Sequence, residues 1–176
     1  MRAHPDVWYV IDGWLSIEEG RVLQGLAAGR DVLELGSWRG RSAIAMSATA
    51  RSVVTVDAHV GDVHTGAADT WRDLLNNLER TGAAANVTAR RMRLEDLSVG
   101  AMAGRFGLVF IDSEHTPAAA ERDTRIALSA VKPGGIIAYH DWTADVAAGA
   151  AAAGVQATLV AGSLAVYVVP SPETQP

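Results

Sequence analysis

The chain has 176 residues, enough for one domain with a sizeable core, and its 49% hydrophobic and 20% charged residues are an ordinary globular composition. A net charge of −5 argues against nucleic acid as the main partner, and the absence of cysteine excludes disulfides, thiolate metal sites and cysteine nucleophiles. Residues 1–6 lack a secretory-signal pattern and no run is apolar enough to span a bilayer, so a soluble cytoplasmic protein without a membrane partner is expected. Lys132 is the single lysine beside fourteen arginines, which disfavours chemistry that depends on a lysine.

Residues 1–15 hold three of the ten aromatic residues, Trp8, Tyr9 and Trp14. This lead-in is expected to staple itself onto the core; a flap over a ligand site or a dimer contact is the alternative. Ser16-Ile-Glu-Glu19 is a capping box and predicts a helix over 17–28, ended by Gly29. Val32, Leu33 and Leu35 predict a strand over 32–35 covered on both faces. Gly36 and Gly40 then mark a tight turn, a helix follows over 41–50, and a β-branched strand over 52–57 ends in Asp57. The loop 58–69, with His59, Gly61, Asp62, His64 and Gly66, is long and polar enough for a functional loop. Trp71, Leu74, Leu75 and Leu78 at helical spacing predict a helix over 70–81, closed by Gly82.

A weaker strand over 86–92 and a short helix over 94–102 come next, then a strongly apolar strand over 107–112. Thr116-Pro117 is an N-cap with proline in the first turn of a helix reaching about 131, and Lys132-Pro-Gly-Gly135 is expected to stop it and turn the chain. A strand over 136–141, a helix over 144–153 and two strands over 155–160 and 164–169 complete the pattern, before a tail over 170–176. Strand–helix units ending in a hairpin predict a single α/β domain, doubly wound, with a mostly parallel seven-stranded sheet and a C-terminal antiparallel hairpin.

In open α/β sheets ligands sit beyond the carboxyl ends of the strands, which here carry residues 34–40, Asp57, 112–115, His140 and Asp141. Glycines let the backbone pass close under a ligand, and the free N–H groups of the following helix point to the same place. Asp57 lies about twenty residues past the turn, the spacing at which an acid accepts hydrogen bonds from ribose hydroxyls.

The ordered set of Asp12-Gly-Trp-Leu-Ser16, Glu34-Leu-Gly-Ser-Trp-Arg-Gly-Arg-Ser42, Val56-Asp57, Asp112-Ser-Glu-His115, and Lys132-Pro-Gly-Gly135 leading to His140-Asp141-Trp142 resembles class I S-adenosylmethionine-dependent methyltransferases. More narrowly it resembles the small-molecule O-methyltransferases that include macrolide-sugar O-methyltransferases and cephalosporin hydroxylase-like proteins, over residues 12–169. The resemblance implies a Rossmann-like sheet and S-adenosyl-L-methionine as cofactor. It implies that Glu34, Gly36, Ser37 and Gly40 line the methionine and ribose part, that Ser42 sits near the methionine carboxylate, that Asp57 holds the ribose and that Asp112 lies beside the donor. The segment around Arg93 and Leu94 would face the adenine. Two departures stand out: the turn lacks the middle glycine of the commonest pattern, and Met92-Arg93 replaces a small residue and an acid.

Asp112 and Asp141 are expected on adjacent strands, roughly 4.8 Å apart, where two carboxylates repel unless one is protonated or a cation lies between them. Oxygen-rich sites suit magnesium, calcium or manganese. In the related sugar O-methyltransferases acids at these positions hold a divalent cation, with the residue before the last acid as third ligand. That residue is His140 here, which softens the site towards manganese or a later transition metal. Mg2+ or Mn2+ on Asp112, His140 and Asp141 is expected; otherwise each acid caps a helix or loop without a metal. In the same group the histidine of an Asp-x-x-His pattern resembles the general base, which would be His115 acting beside Asp112; otherwise His115 caps its helix or packs on Trp142. His59 and His64 read as solvated loop residues or as lining of the acceptor pocket.

The expected activity is methyl transfer to a hydroxyl of a sugar or other polar small molecule. A nicotinamide-dependent oxidoreductase is the enzymatic alternative, disfavoured by the missing Tyr-x-x-x-Lys pair and the terminal hairpin, and a non-catalytic cofactor-binding protein is the other. With no obvious inserted lid, the pocket is expected to be roofed by residues 1–15, by the loop 58–69 or by a partner subunit in a homodimer.

Overall fold

The computed structural model describes residues 6–62 and 66–171. Strand β1 (Asp31–Leu35) runs through its centre. Val32, Leu33 and Leu35 are fully buried. Successive strand residues point to opposite faces, so Val32 joins a core with Leu23, Ile44 and Met46, while Leu33 and Leu35 join one with Ile126, Ala127 and Val146. Helices on both faces are why the strand reads as a continuous apolar run.

In chain order the further strands are β2 (Ser52–Asp57), the two-residue β3 (Gly61–Asp62) and β4 (Gly66–Ala67), then β5 (Val87–Arg91), β6 (Phe106–Ile111), β7 (Val131–Tyr139), β8 (Thr158–Ala161) and β9 (Leu164–Val168). Seven of them form one sheet in the order β5-β2-β1-β6-β7-β9-β8, and β3 pairs with β4 apart from it. The pairs from β5 to β7 are parallel, whereas β7–β9 and β8–β9 are antiparallel. This is the expected doubly wound, Rossmann-like sheet with its terminal hairpin.

Helix α1 (Ile17–Ala27) starts at the expected capping box: Ser16 Oγ accepts from the Glu19 N–H and Glu19 Oε2 accepts from the Ser16 N–H. Helices α2 (Arg41–Ser47), α3 (Trp71–Thr81), α4 (Pro117–Ala130) and α5 (Ala144–Ala152) follow. α2 stops three residues before the expected end, and just beyond it the Thr49 hydroxyl donates to the Gln24 carbonyl at 2.6 Å. The expected helix over 94–102 is two short 3-10 turns, Leu94–Asp96 and Val99–Met102. The segment 132–135 is no free turn. It lies within β7, where Phe106 pairs with Val131 and Leu108 with Ile136, so the extra residues bulge out of the ladder. Pro133 has no N–H to donate there, which favours the bulge.

The aromatic lead-in divides by side. Trp8, Ile11 and Leu15 are buried in the core, while Tyr9, Val10 and Trp14 are exposed. Arg41 ties it to α2 by donating to the carbonyls of Tyr9 (3.1 Å) and Ile11 (2.6 Å). Among the described residues no helix is long and apolar enough to cross a membrane.

Candidate active site

Strand order reverses at β1, with β2 on one side and β6 on the other, and a crevice opens at such a switch point beyond the strand ends. The cleft there has a volume of about 620 Å³. Its floor is the turn after β1. Gly36 has φ +91°, and a Cβ on it would lie 2.1 Å from the Asp112 carbonyl oxygen, so only glycine lets the turn pass under β6's end. Asp57, at the end of β2, closes the turn: its carboxylate accepts from the N–H groups of Ser37 and Trp38, both at 2.8 Å, and of His59 at 2.6 Å. This holds Trp38 at φ +44°, a conformation unfavourable for a bulky residue.

Beneath the turn, Glu34 is fully buried and accepts a hydrogen bond from the Ser42 hydroxyl at 2.5 Å. Burial pushes its carboxyl up to about 8, so it carries a proton at neutral pH.

At the ends of β6 and β7 two acids and two histidines converge. His115 Nε2 lies 3.7 Å from Asp112 Oδ1 and 3.4 Å from Asp141 Oδ2. His140 Nδ1 lies 3.3 Å from Asp112 Oδ1 and 3.4 Å from Asp141 Oδ2. The backbone prolongs the ladder to place them: Asp112 donates its N–H to the Leu35 carbonyl and His140 to that of Ile111. Asp141 has φ +48° and is braced by the β8–β9 turn, whose Ser163 carbonyl accepts the Trp142 N–H at 2.9 Å. Burial opposes charge on Asp112, yet hydrogen bonds from His115 and His140 hold it down at about 2. Burial likewise opposes charge on His140, but Asp112 and Asp141 push it up to about 11. His115 is raised by its hydrogen bond to Asp112, and Asp141 is lowered by its hydrogen bond to His140.

A cation would find a suitable donor set here. Ligand atoms of Asp112, His115 and Asp141 all lie within 4.8 Å of one another. Carboxylate oxygens with one imidazole nitrogen suit magnesium or manganese.

A family model described as a methyltransferase domain matches residues 33–142. The chain belongs to this methyltransferase family. A comparison with curated proteins finds no match. Among solved structures, the methyltransferase fold is similar to the cofactor-bound Rv0187 protein of MTB, at 22% identity and TM-score 0.71 over 95% of this chain and 86% of that one. It is similar to the O-methyltransferase TomG of Streptomyces achromogenes, involved in tomaymycin synthesis and solved with SAM, at 18% identity and TM-score 0.65 over 89% and 82%. It is also similar to an O-methyltransferase of Bacillus cereus in complex with SAH, at 20% identity and TM-score 0.64 over 90% and 83%.

Of the residues singled out in the sequence, Gly36, Ser37, Ser42, Asp57, Asp112, His115, His140 and Asp141 line the methyltransferase cleft, as do Arg93 and Leu94. Glu34 and Gly40 stand behind its wall: Glu34 under Ser42, and Gly40 at the start of α2 facing Leu74. His59 is not a solvated loop residue. It is buried, with Nδ1 2.9 Å from Thr70 Oγ1 and its ring edge-on to Trp71, and burial lowers its pKa. His64 lies outside the described residues.

Other cleft features are marked weakly or not at all in the sequence. Arg122 on α4 reaches Glu95 at 2.5 Å and the buried Asp123 at 2.7 Å, and Asp123 also accepts from the Ser113 hydroxyl. Glu95 lies 27 residues before Arg122 and Ser113 ten before Asp123, and the α4 pattern only marks Asp123 as a polar residue on a helix. Trp14 lines the cleft mouth and packs on Trp38 with ring centroids 4.7 Å apart. In the sequence it stands in the aromatic lead-in and in the Asp12-Gly-Trp-Leu-Ser16 stretch.

Proposed function

We propose that the protein is an S-adenosylmethionine-dependent O-methyltransferase acting on a hydroxyl of a sugar or other polar small molecule. The observation that carries the reading is the convergence of Asp112, His115, His140 and Asp141 beside the Gly36–Asp57 turn, in a cleft of ligand size. The family match, and the SAM and SAH bound by the similar O-methyltransferases, support it over a nicotinamide oxidoreductase.

The residues fit the cofactor. Asp57 would meet the ribose, Gly36, Ser37 and Ser42 the methionine part, and Leu94 with Arg93 the adenine. When bound, the cofactor supplies an electrophilic methyl group on a sulfonium. The chain's own task is to place the acceptor oxygen in line and to take its proton; positioning supplies much of the acceleration. In this reading His115 is the base that takes that proton, and the carboxylates of Asp112 and Asp141, which face its Nε2, stabilise the imidazolium that results.

The residues also fit a divalent cation on Asp112 and Asp141, which would lower the pKa of an acceptor hydroxyl. Both histidines present a nitrogen to these acids. His115 cannot be ligand and base at once, so the reading keeps His140 Nδ1 as the third ligand and His115 as the base.

A screen of hydroxylated small molecules with methyl-labelled S-adenosylmethionine, with and without added Mg2+ or Mn2+, tests the function. Transfer of label to a hydroxyl oxygen is expected. Transfer to nitrogen or carbon alone, or cofactor binding with no acceptor ever labelled, overturns it.

A further inference from the structure

Glu19 has a helix-capping role that a solvent-exposed side chain performs well, yet it is almost wholly buried, 4% exposed. Its surroundings account for the burial. Oε1 accepts from the Ser163 N–H at 2.7 Å and the Ser163 hydroxyl at 3.0 Å, across 144 residues of chain. Oε2 accepts from the Ser16 N–H and lies 3.5 Å from His140 Nε2. The turn at Gly162 is shaped for this contact: a Cβ there would stand 2.5 Å from Glu19 Oε1. His140 is also buried, and its other nitrogen faces Asp112 and Asp141. Glu19 and the acid pair therefore grip the imidazole from opposite edges. Ser163 bridges both sides, since its hydroxyl lies 3.3 Å from Asp141 Oδ1.

We propose that Glu19 is a positioning residue for the site: it holds a proton on His140 Nε2 and fixes the ring so that Nδ1 is aimed at Asp112 and Asp141. At 3.5 Å the contact is an ion pair and not a closed hydrogen bond; without it no carboxylate faces Nε2 and the ring can flip, exchanging the nitrogen that faces the acids. The arrangement matches the rule that a site histidine donates its second nitrogen to an outer carboxylate, whose loss typically costs about 10–100-fold in metal affinity or activity. The idea rests on the site reading above for its effect on turnover, but the ring geometry stands apart from it.

The test is heteronuclear NMR of the histidine ring nitrogens in the full chain, comparing wild type, Glu19→Gln and Ser16→Ala. In wild type, His140 Nε2 is expected to carry a proton; a His140 bare at Nε2 overturns the proposal without any variant having to fold. In Glu19→Gln the His140 signals should shift or broaden while S-adenosylmethionine affinity stays within about twofold, and turnover of any accepted substrate should fall by 10-fold or more with KM little changed. Ser16→Ala, which removes only half of the cap, should leave the His140 signals in place. His140 signals unchanged in a folded Glu19→Gln protein overturn the proposal even if the wild type methylates. The expected signals in a wild type that methylates nothing overturn the methyltransferase reading and leave the positioning role standing.

Discussion

Ser37 donates its backbone N–H to Asp57 Oδ2 at 2.8 Å, across twenty residues of chain. The acid expected to hold a ribose thus already holds the turn beneath it, together with the Trp38 and His59 N–H groups. Asp57→Ala should therefore lower stability by about 1–3 kcal/mol through loss of charge-assisted hydrogen bonds, and should weaken S-adenosylmethionine binding by more than tenfold. Urea denaturation and calorimetric titration check the two effects. Lost affinity with unchanged stability would mean that the turn holds itself.

Glu34 predicts a pH dependence. Its folded-state pKa of about 8 lies above the ordinary 4.5, so the folded protein binds a proton that the unfolded chain releases. The resulting stability is fully present below about 4.5, declines as pH rises and is gone above about 8, a difference on the order of a few kcal/mol. Glu34→Gln, a neutral side chain of the same shape, should flatten this contribution between pH 6 and 9. Thermal melts at matched ionic strength measure it, and parallel profiles for the two proteins would rule it out.

The two histidines should separate by assay. His115→Ala should reduce turnover by roughly 10²–10⁴-fold, the range for loss of a general base, and leave cation affinity unchanged. His140→Ala should weaken Mn2+ binding, measured by electron paramagnetic resonance. Chelation by EDTA should abolish activity, and Mg2+ or Mn2+ should restore it. Full activity in chelator removes the cation from the reading, and weaker Mn2+ binding in His115→Ala reverses the two roles.

The lead-in offers a contrast between neighbouring tryptophans. Trp8 is 1% exposed and Trp14 is 65% exposed at the cleft mouth. Trp8→Ala should cost about 3–5 kcal/mol as a large buried aromatic is lost. Trp14→Ala should change stability by less than about 1 kcal/mol and raise KM for the acceptor. Denaturant melts and steady-state kinetics on the same preparations distinguish them.

Much of the architecture is legible in the residues because it follows from local rules. Val32, Leu33 and Leu35 announce a strand covered on both faces, and the Ser16–Glu19 box and Thr116-Pro117 announce their helices through caps that act within four residues. The irregularities are less legible. Lys132-Pro-Gly-Gly135 has the local chemistry of a turn, yet neighbouring β6 and β9 take the segment into β7 with a bulge. His59 has the polarity of a loop, yet Thr70 and Trp71 bury it. The site shows the same division. Asp57, Asp112, His115, His140 and Asp141 are visible because strand ends are marked by periodicity. Which nitrogen faces which carboxylate is not, and neither is the reach of Glu19 to Ser163 and His140. The Glu19 contacts join segments more than a hundred residues apart, the histidine contacts join the ends of two strands, and no local propensity encodes either. They arise from strand order and from the packing of α1 against the sheet, which bring the start and the end of the chain to the same pair of acids.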